Sequence, residues 1–373
     1  MHFAFTEQQN EFREAVRQVL AKECTTDHLR AAHGSPAART PRWATLADLG
    51  VVGLSVPVAH GGLGLGLVDL VPLLEEAGRV GLPEPLLETT ALAAPVLVGL
   101  AGLGGSIRSA PGADAATSLR LESIAAGGMA AAVGAPGPVS APLAGADGAD
   151  LFVLPAPGAD GPEVHVLESG AVAVSPVSSL DPTRRLGLAR WEPSPESRVA
   201  TGALAASIIG QTADRAAVAT AAELLGLADR MIGMAADYAR ERHQFGKPIG
   251  SFQAVKHLLA GAQVKLEFAR PAVYGAAWAL DQTDPAVAAA APVAAVTAVA
   301  AVAASRAAST AKAYASDAAT EAARVSLQVH GAIGYTWECD LHLFLKRAWA
   351  LSEAWGSAAD HRSRVLSSLI GPS

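Results

Sequence analysis

Apolar residues near the start of the chain recur at the spacing of an amphipathic helix. Thr6 stands just before this pattern, and Gln9 lies three residues after Thr6, which is the residue pair of a capping box. The periodicity therefore predicts a helix that begins after Thr6 and buries one face. The residues of that face are Phe12, Val16, Val19 and Leu20.

The same type of pattern returns between residue 202 and the end of the chain. Two stripes alternate steps of four and three residues, and each predicts a long helix with one apolar face. Long antiparallel helices of this kind pack as a bundle, so we predict a C-terminal antiparallel four-helix bundle. The first stripe is Leu224, Ala228, Met231, Ala235 and Tyr238, and the second is Phe252, Val255, Leu259, Ala262 and Leu266.

Between the two helical regions the chain changes character. The short β-type runs Leu151–Leu154 and Val164–Leu167 lie between clusters of Gly, Pro and Asp. The fold class that these patterns predict is α+β, mainly α. We divide the chain into an N-terminal helical domain over 1–105, a reduced middle β domain over 106–201 and the C-terminal helical bundle over 202–373.

The composition is typical of a protein with a large core. Of the 373 residues, 51% are hydrophobic and 17% are charged, which excludes intrinsic disorder. A net charge of −7 argues against nucleic acid as a partner. The uncharged stretch 286–305 approaches the length of a membrane span. Because it is mostly Ala and contains Pro292, we favour a packed bundle helix over a membrane span.

Two features bear on the compartment. The first residues have neither a basic start nor an apolar run, which excludes a secretory signal there. The two cysteines are Cys24 and Cys339, and neither belongs to a CxxC pair. The predicted location is therefore the reducing cytoplasm.

A glycine-rich run at 61–66 invites comparison with a nucleotide-binding loop. The pattern GxGxxG would need a glycine at position 67, and Leu67 stands there. We therefore interpret the run as a structural turn before a helix over 67–77.

The segment 238–257 is the richest in candidate chemistry. We interpret Gly246 as the residue that ends one helix and Ser251 as the N-cap of the next, which puts Gln253 in its first turn. Under one interpretation, Arg242 only complements the dipole of its own helix. Under the other, a guanidinium, a side-chain amide and a helix N-terminus form an anion site that would bind a phosphate.

This segment resembles the signature of the acyl-CoA dehydrogenase family. The matching residues are Tyr238, Arg242, Gln244-Phe245-Gly246, Pro248-Ile249 and Phe252-Gln253. A second block that resembles the family reads QVHGAIGYT and runs from Gln328 to Thr336. The N-terminal region is similar as well, at Phe5–Gln8, Leu49–Val51 and 56–64. The resemblance covers both ends of the chain well and the middle poorly.

The resemblance implies an activity and a cofactor. Members of the family desaturate an acyl-CoA thioester with FAD and pass electrons to an electron-transferring flavoprotein. FAD lies between subunits there, and one chain holds the pyrophosphate and adenosine of a flavin whose ring lies in its neighbour. Ala332 stands where the family often has a second glycine, and Gly331 is also interpreted as a helix C-cap. The positions of this chain that the resemblance assigns to FAD are Arg242, Phe245, Gln253, Gln328, Val329, His330, Gly331 and Ala332.

Two departures from the family pattern concern the reaction itself. The family's β domain carries a Thr-Glu-Pro and Gly-Ser-Asp type segment that lines the flavin and the thioester, and no such segment follows Met129. The family's catalytic base is a Glu, whose position counted from Gly331 falls on Trp355. A second position that the family uses for this base falls near Ala216–Ala217. Glu338 and Glu353 are nearby acids, either relocated bases or ordinary surface residues.

Three functions stay open from the sequence. In the first, the chain is the subunit of a heteromer, α2β2, that lacks the base and completes the site of a homologous partner with an intact β domain and a catalytic Glu. The family has such assemblies in actinobacterial steroid side-chain degradation, which this chain resembles. In the second, the chain is a self-sufficient homotetramer with a relocated base. In the third, it is a non-enzymatic helical scaffold.

Overall fold

A computed structural model of the protein describes residues 4–34, 40–102, 113–137, 141–283 and 298–370. The described part is mainly helical with a small sheet, as the sequence predicted. Its N-terminal region consists of α1 (Glu7–Glu23), α2 (Thr26–Gly34), α3 (Pro41–Asp48), α4 (Leu67–Val80), a π-helical segment (Leu87–Ala93) and α5 (Ala94–Gly102).

The start of α1 confirms the predicted capping box. The Gln9 backbone N–H donates to the Thr6 hydroxyl at 3.2 Å, and the Thr6 N–H donates to the Gln9 side chain at 2.8 Å. Val16 and Leu20 are buried, so the predicted face packs on the core. These reciprocal bonds satisfy two donors that a helix start leaves without an intrahelical partner.

The glycine-rich run is a structural turn, as predicted. A Cβ atom on Gly62 would lie 2.1 Å from the Val56 carbonyl oxygen, so the turn needs glycine there. The N-terminus of α4 is already occupied, because the Asp281 carboxylate accepts hydrogen bonds from the N–H groups of Leu67 and Val68, both at 2.8 Å. A helix start that holds its own carboxylate has no room for a nucleotide phosphate. The helix itself reaches Val80, three residues beyond the predicted end.

The middle region contains a helix as well as strands. Helix α6 (Ala113–Ala125) lies in the part predicted as β domain, and β1 to β6 follow it. Four strands form a mixed sheet in the order β1-β2-β3-β6, with β1 parallel to β2 and the other pairs antiparallel, while β4 and β5 form a separate hairpin. The strands predicted at 151–154 and 164–167 lie in β2 and β3. The six strands are Ala131–Val133, Leu151–Gly158, Gly161–Glu168, Ala173–Pro176, Gly187–Arg190 and Arg198–Thr201.

The C-terminal region is a helical bundle. The 40-residue helix α7 (Gly202–Glu241) lies at its centre and is buried on all sides between residues 214 and 228. Helix α9 packs against α7 and α8, and α10 and α11 pack against α9. The other bundle helices are α8 (Gln253–Asp281), α9 (Ala298–His330), α10 (Leu341–Glu353) and α11 (Ala358–Ile370). Strand β6 ends and α7 begins at the predicted domain boundary, and the division into three domains stays a prediction.

Glycines allow the N-terminal helices to contact the bundle closely. A Cβ atom on Gly226 of α7 would lie 1.9 Å from the Glu75 carbonyl oxygen of α4. A Cβ atom on Gly78 of α4 would lie 2.1 Å from the Glu223 carbonyl oxygen. The two helix backbones therefore touch at this crossing, and no side chain larger than hydrogen fits between them.

Among the described helices, none has the length and hydropathy that crossing a membrane requires. Of the uncharged stretch 286–305, residues 286–297 lie outside the described part, and residues 298–305 form the start of α9.

Candidate cofactor site

The helix that carries Arg242 ends earlier than predicted. Helix α7 ends at Glu241, and the Arg242 N–H closes it by donating to the Tyr238 carbonyl at 2.8 Å. Gly246 is therefore not the residue after a helix end, and the prediction was wrong there. Phe245 and Gly246 have φ values of 52° and 77° and form the turn of a two-stranded hairpin. Positive φ at both central residues is the geometry that tight hairpins favour.

The predicted start of the next helix is also shifted. Ser251 ends a 3₁₀ turn (Ile249–Ser251), and α8 begins at Gln253 with Phe252 as its N-cap and no side-chain capping bond. The prediction of Ser251 as N-cap was therefore wrong. The cause is packing, because a Cβ atom on Gly250 would lie 2.9 Å from the Ala239 carbonyl oxygen, so the turn lies directly on the end of α7.

The second block lies at the end of α9. The helix ends at His330, and Gly331 has a φ of 63°, which agrees with its interpretation as a helix C-cap. Gln328, Gly331 and Ala332 are exposed, whereas Val329 and His330 are 8% and 7% exposed. The side chains of Val329 and His330 therefore belong to the packed interior of the bundle. A 3₁₀ turn (Gly331–Tyr335) follows the helix.

The structure brings the two blocks together through one ring contact. The rings of Tyr238 and His330 stack with centroids 4.6 Å apart and an angle of 18° between their planes. Arg242 lies four residues after Tyr238, and Gly331 follows His330 directly. The two segments that the sequence singled out separately thus lie at the same end of the bundle.

Three polar side chains at this end lack a partner in the part of the chain that the structure describes. Among the described residues, the side chains of Arg242, Gln253 and Gln328 make no hydrogen bond or ion pair, although Arg240 nearby is paired with Asp237 at 2.5 Å. An exposed guanidinium and two free amides are the groups that bind phosphate and nucleoside oxygens.

The aromatic and glycine residues of the site fit the same type of ligand. Phe245 is 90% exposed, and a bulky side chain at positive φ is rare, which is typical of strained functional positions. The Phe252 ring contacts Phe245 edge-on at 6.1 Å between centroids, with Lys247 Nζ 4.4 Å from the Phe252 centroid. A Cβ atom on Gly331 would meet nothing within 4 Å, so the backbone there is open to an approaching ligand. These residues fit a flavin dinucleotide's phosphates and adenosine.

The positions of the family's base hold no acid. Ala216 and Ala217 are completely buried, and Trp355 packs partly buried on the core at a φ of 60°. The Trp355 carbonyl accepts a hydrogen bond from Nε2 of His361 at 3.0 Å. Neither alanine nor indole can take up a proton at neutral pH.

The two nearby acids lie in solvent. Glu353 is exposed at the end of α10, and Glu338 is exposed beyond the Gly331 turn. A hydrogen bond from Thr336 lowers the pKa of Glu338, which weakens it as a base. A general base for carbon acids works best in a dry pocket with a raised pKa, and Glu338 has neither property.

Sequence reasoning missed a buried lysine beside the vacant base position. Lys312 of α9 is 0% exposed, and its Nζ donates to the carbonyl oxygens of Ser352 and Gly356 at 2.9 and 3.1 Å and to the Ser316 hydroxyl at 3.1 Å. Burial lowers the pKa of Lys312 to about 7. A single lysine in an Ala-rich helix carries no sequence signal for this role, because two of its three acceptors are backbone oxygens on a distant turn.

A buried charge cluster in the interior was also invisible in the sequence. Arg347 of α10 donates to the Asp181 carboxylate at 2.7 Å and to the Thr183 hydroxyl at 2.8 Å. Burial raises the pKa of Glu223 on α7 to about 7, and the charge of Glu88 adds to the effect. The cluster joins the N-terminal region, the middle region and the bundle.

Comparison with known proteins identifies the family of the chain. Residues 6–100 match the N-terminal domain and residues 206–370 the C-terminal domain of acyl-CoA dehydrogenases. The chain is 33% identical over 344 residues to "Acyl-CoA dehydrogenase IpdE2" of Mycobacterium tuberculosis, covering 92% of this chain and 91% of that one.

Two solved structures have the same fold. A variant of the "Tcur3481-Tcur3483 steroid ACAD" is 25% identical, with a TM-score of 0.76 and coverage of 97% of this chain and 98% of that chain. The "ChsE4-ChsE5 complex from Mycobacterium tuberculosis" is 24% identical, with a TM-score of 0.78 over the full length of both chains. The matched domains and the IpdE2 relative show that the chain belongs to the acyl-CoA dehydrogenase family of oxidoreductases.

Proposed function

We propose that this chain is the base-lacking subunit of a heteromeric, FAD-dependent acyl-CoA dehydrogenase of the cytoplasm. It supplies the adenosine and pyrophosphate side of FAD to the active site of a homologous partner, which contributes the flavin-ring side and the catalytic Glu. Bound FAD would supply acceptance of a hydride from the acyl β-carbon. The proposed electron acceptor of the complex is an electron-transferring flavoprotein.

One observation carries the proposal. The unpaired Arg242 guanidinium and the open Gly331 backbone lie at the same end of the bundle, linked by the Tyr238–His330 contact. Arg242 would hold the pyrophosphate, and Gln253 and Gln328 would serve as further hydrogen-bond donors. Phe245, on the hairpin turn, would contribute an aromatic surface to the adenosine side. Such charge-assisted contacts are about twice as strong as neutral hydrogen bonds.

The vacant base positions support a subunit that does not act on the substrate alone. Removing the α-proton of a thioester needs a carboxylate within about 3 Å of it. Trp355, Ala216 and Ala217 cannot provide one, and in this proposal a carboxylate of the partner takes the proton.

Two similar structures support a partner and a substrate class. The "ChsE4-ChsE5 complex" and the "Tcur3481-Tcur3483 steroid ACAD" each pair two proteins, and the second is named for a steroid. We extend both features to this chain and propose an α2β2 assembly that desaturates the acyl-CoA thioester of a steroid side chain.

The proposal is tested by Arg242→Ala in the complex with the partner. Losing one charge-assisted phosphate contact costs about 1.5–3 kcal/mol, which corresponds to FAD binding weakened about 10- to 150-fold. Arg240→Ala is the matched control, because Arg240 lies at the same helix end and is paired with Asp237. FAD affinity is measured by flavin fluorescence during titration of the FAD-free complex. Unchanged affinity in Arg242→Ala would contradict the proposal.

Flavin stoichiometry gives a second test. The chain expressed alone should be colourless, and co-expression with the partner should give a yellow complex with fewer flavins than chains. One tightly bound flavin per chain in a homo-oligomer would contradict the heteromeric assignment.

A further inference from the structure

We propose that Tyr238 and His330 are positioning residues. Their stacked rings hold the end of α7 and the end of α9 in one fixed relation, so that both segments reach the same cofactor. The inference rests on the proposed function, because it concerns the positions of Arg242 and Gly331 relative to one FAD molecule.

His330 is fixed from its own helix. Its Nδ1 lies 2.8 Å from the Ser326 carbonyl oxygen, and because a carbonyl only accepts, Nδ1 carries the proton. The imidazole is 7% exposed, so it fills a packed site rather than a solvent-facing one. Because one ring nitrogen is hydrogen-bonded and the ring is enclosed, the imidazole plane has a single orientation. The Tyr238 ring packs against this fixed plane.

The position of Tyr238 in turn determines where the backbone of Arg242 lies. The Tyr238 carbonyl accepts the N–H of Arg242 at 2.8 Å, and this bond is the last of helix α7. The Arg242 carbonyl in turn accepts the N–H of Ile249 at 2.7 Å, which fixes the chain after the hairpin turn. A shift of Tyr238 would therefore move the base of the Arg242 side chain.

A second contact sets the register between the two helices. The Ser326 hydroxyl donates to the Met231 carbonyl of α7 at 2.8 Å, two turns before Tyr238. Two contacts at different positions along the helix axes oppose both sliding and rotation of α7 relative to α9, whereas either one alone would oppose them less. Gly331 follows the stacked imidazole directly, so its open backbone has a fixed distance from Arg242.

The ring of Tyr238, and not its hydroxyl, is what this role requires. Among the described residues, the Tyr238 hydroxyl has no hydrogen-bond partner, and the side chain is half-buried. Tyr238→Phe therefore keeps the stack and serves as a matched control. Tyr238→Leu removes the aromatic contact while keeping an apolar side chain in the packed site.

The experiment measures the FAD affinity of the complex with the partner for these two variants. Stacked aromatic pairs stabilise a contact enough to change an equilibrium about two- to tenfold, so Tyr238→Leu should weaken FAD binding by that factor. Tyr238→Phe, which keeps two stacked rings, should stay within about twofold of the unsubstituted complex. At saturating FAD, the kcat of Tyr238→Leu should return to the unsubstituted value.

Combination with Arg242→Ala separates positioning from general destabilisation. If the stack acts through Arg242, Tyr238→Leu should weaken FAD binding less in the Arg242→Ala background than alone. Fully additive effects would overturn the inference, and so would unchanged FAD affinity in Tyr238→Leu. If Tyr238→Leu fails to fold, a loss in Tyr238→Phe as large as that in Arg242→Ala would overturn it instead. Failure of the proposed function appears separately, as unchanged FAD affinity in Arg242→Ala itself.

Discussion

Replacing Lys312 by Met should change how the stability of the chain depends on pH. The Lys312 ammonium group is enclosed, and its three hydrogen bonds go to uncharged oxygens. Burial lowers its pKa from the ordinary value of 10.5 to about 7, although the charges of Glu353 and Asp360 act in the opposite direction. Met has nearly the same length and no titrating group, so the variant isolates the effect of the proton.

The size and sign of the effect follow from proton linkage. The difference between 10.5 and about 7 corresponds to at most about 5 kcal/mol, because each pH unit is worth about 1.4 kcal/mol. Between these pH values, the unfolded chain keeps the lysine proton and the folded chain has lost it. The unfolded state therefore binds more protons, and the stability of the unsubstituted chain rises with pH across this window. Below pH 7 both states are charged, and this contribution is constant.

Urea unfolding of the isolated chain at pH 7, 8, 9 and 10 measures the effect. The free energy of unfolding of the unsubstituted chain should rise relative to Lys312→Met over this range, while other titrating groups cancel between the two proteins. Lys265→Met is the control, because Lys265 is half-exposed and its Nζ lies 3.8 Å from Glu321. A difference between the unsubstituted chain and Lys312→Met that stays constant from pH 7 to 10 would refute the reasoning.

Three further predictions concern the acids and the helix crossing. Glu338→Gln and Glu353→Gln should each leave the dehydrogenase rate of the complex within a few-fold, and a thousand-fold loss with FAD retained would reveal a relocated base. Gly226→Ala should destabilise the chain by several kcal/mol in urea unfolding, because its Cβ would meet the α4 backbone, whereas Gly233→Ala on the same helix has open space and should be neutral or stabilising by up to about 1 kcal/mol. Burial raises the pKa of Glu223 to about 7, so the folded chain binds the extra proton between pH 4.5 and 7 and loses up to about 3 kcal/mol of stability as pH rises through that window. Glu223→Gln should remove this fall, and an unchanged pH profile would count against it.

The sequence predicted those parts of the fold that depend on local periodicity. The capping box at Thr6 and the stripe from Leu224 to Ala235 could be read directly, because side chains three or four residues apart share a helix face. The helix ends around Gly246 and Ser251 could not be placed correctly. The hairpin there depends on positive φ at Phe245, and a phenylalanine gives no local signal for that conformation.

For the candidate site, the sequence singled out two segments that the structure brings to one end of the bundle, but it did not show which of their side chains are exposed. The resemblance grouped Val329 and His330 with Gln328 and Gly331, yet the first two side chains face the core. The contact between Tyr238 and His330 joins residues 92 positions apart, which no periodicity can predict. Periodicity also gives no signal for the hydrogen bonds from Lys312 to the carbonyl oxygens of Ser352 and Gly356, which lie on a distant turn.

The carboxylate of Asp281 at the start of α4 has a consequence for the order of events during synthesis. Asp281 lies 214 residues after Leu67, and its carboxylate accepts a hydrogen bond from the Leu67 N–H group. At roughly 5–20 residues per second, a ribosome needs about 10–40 s to make that stretch. During this interval the first turn of α4 lacks its acceptor, and the helix crossing at Gly226 is also missing for most of it. The N-terminal helices therefore complete their packing only after α8 has emerged, and a nascent chain stalled before α8 should be more sensitive to protease in α4 than the finished protein.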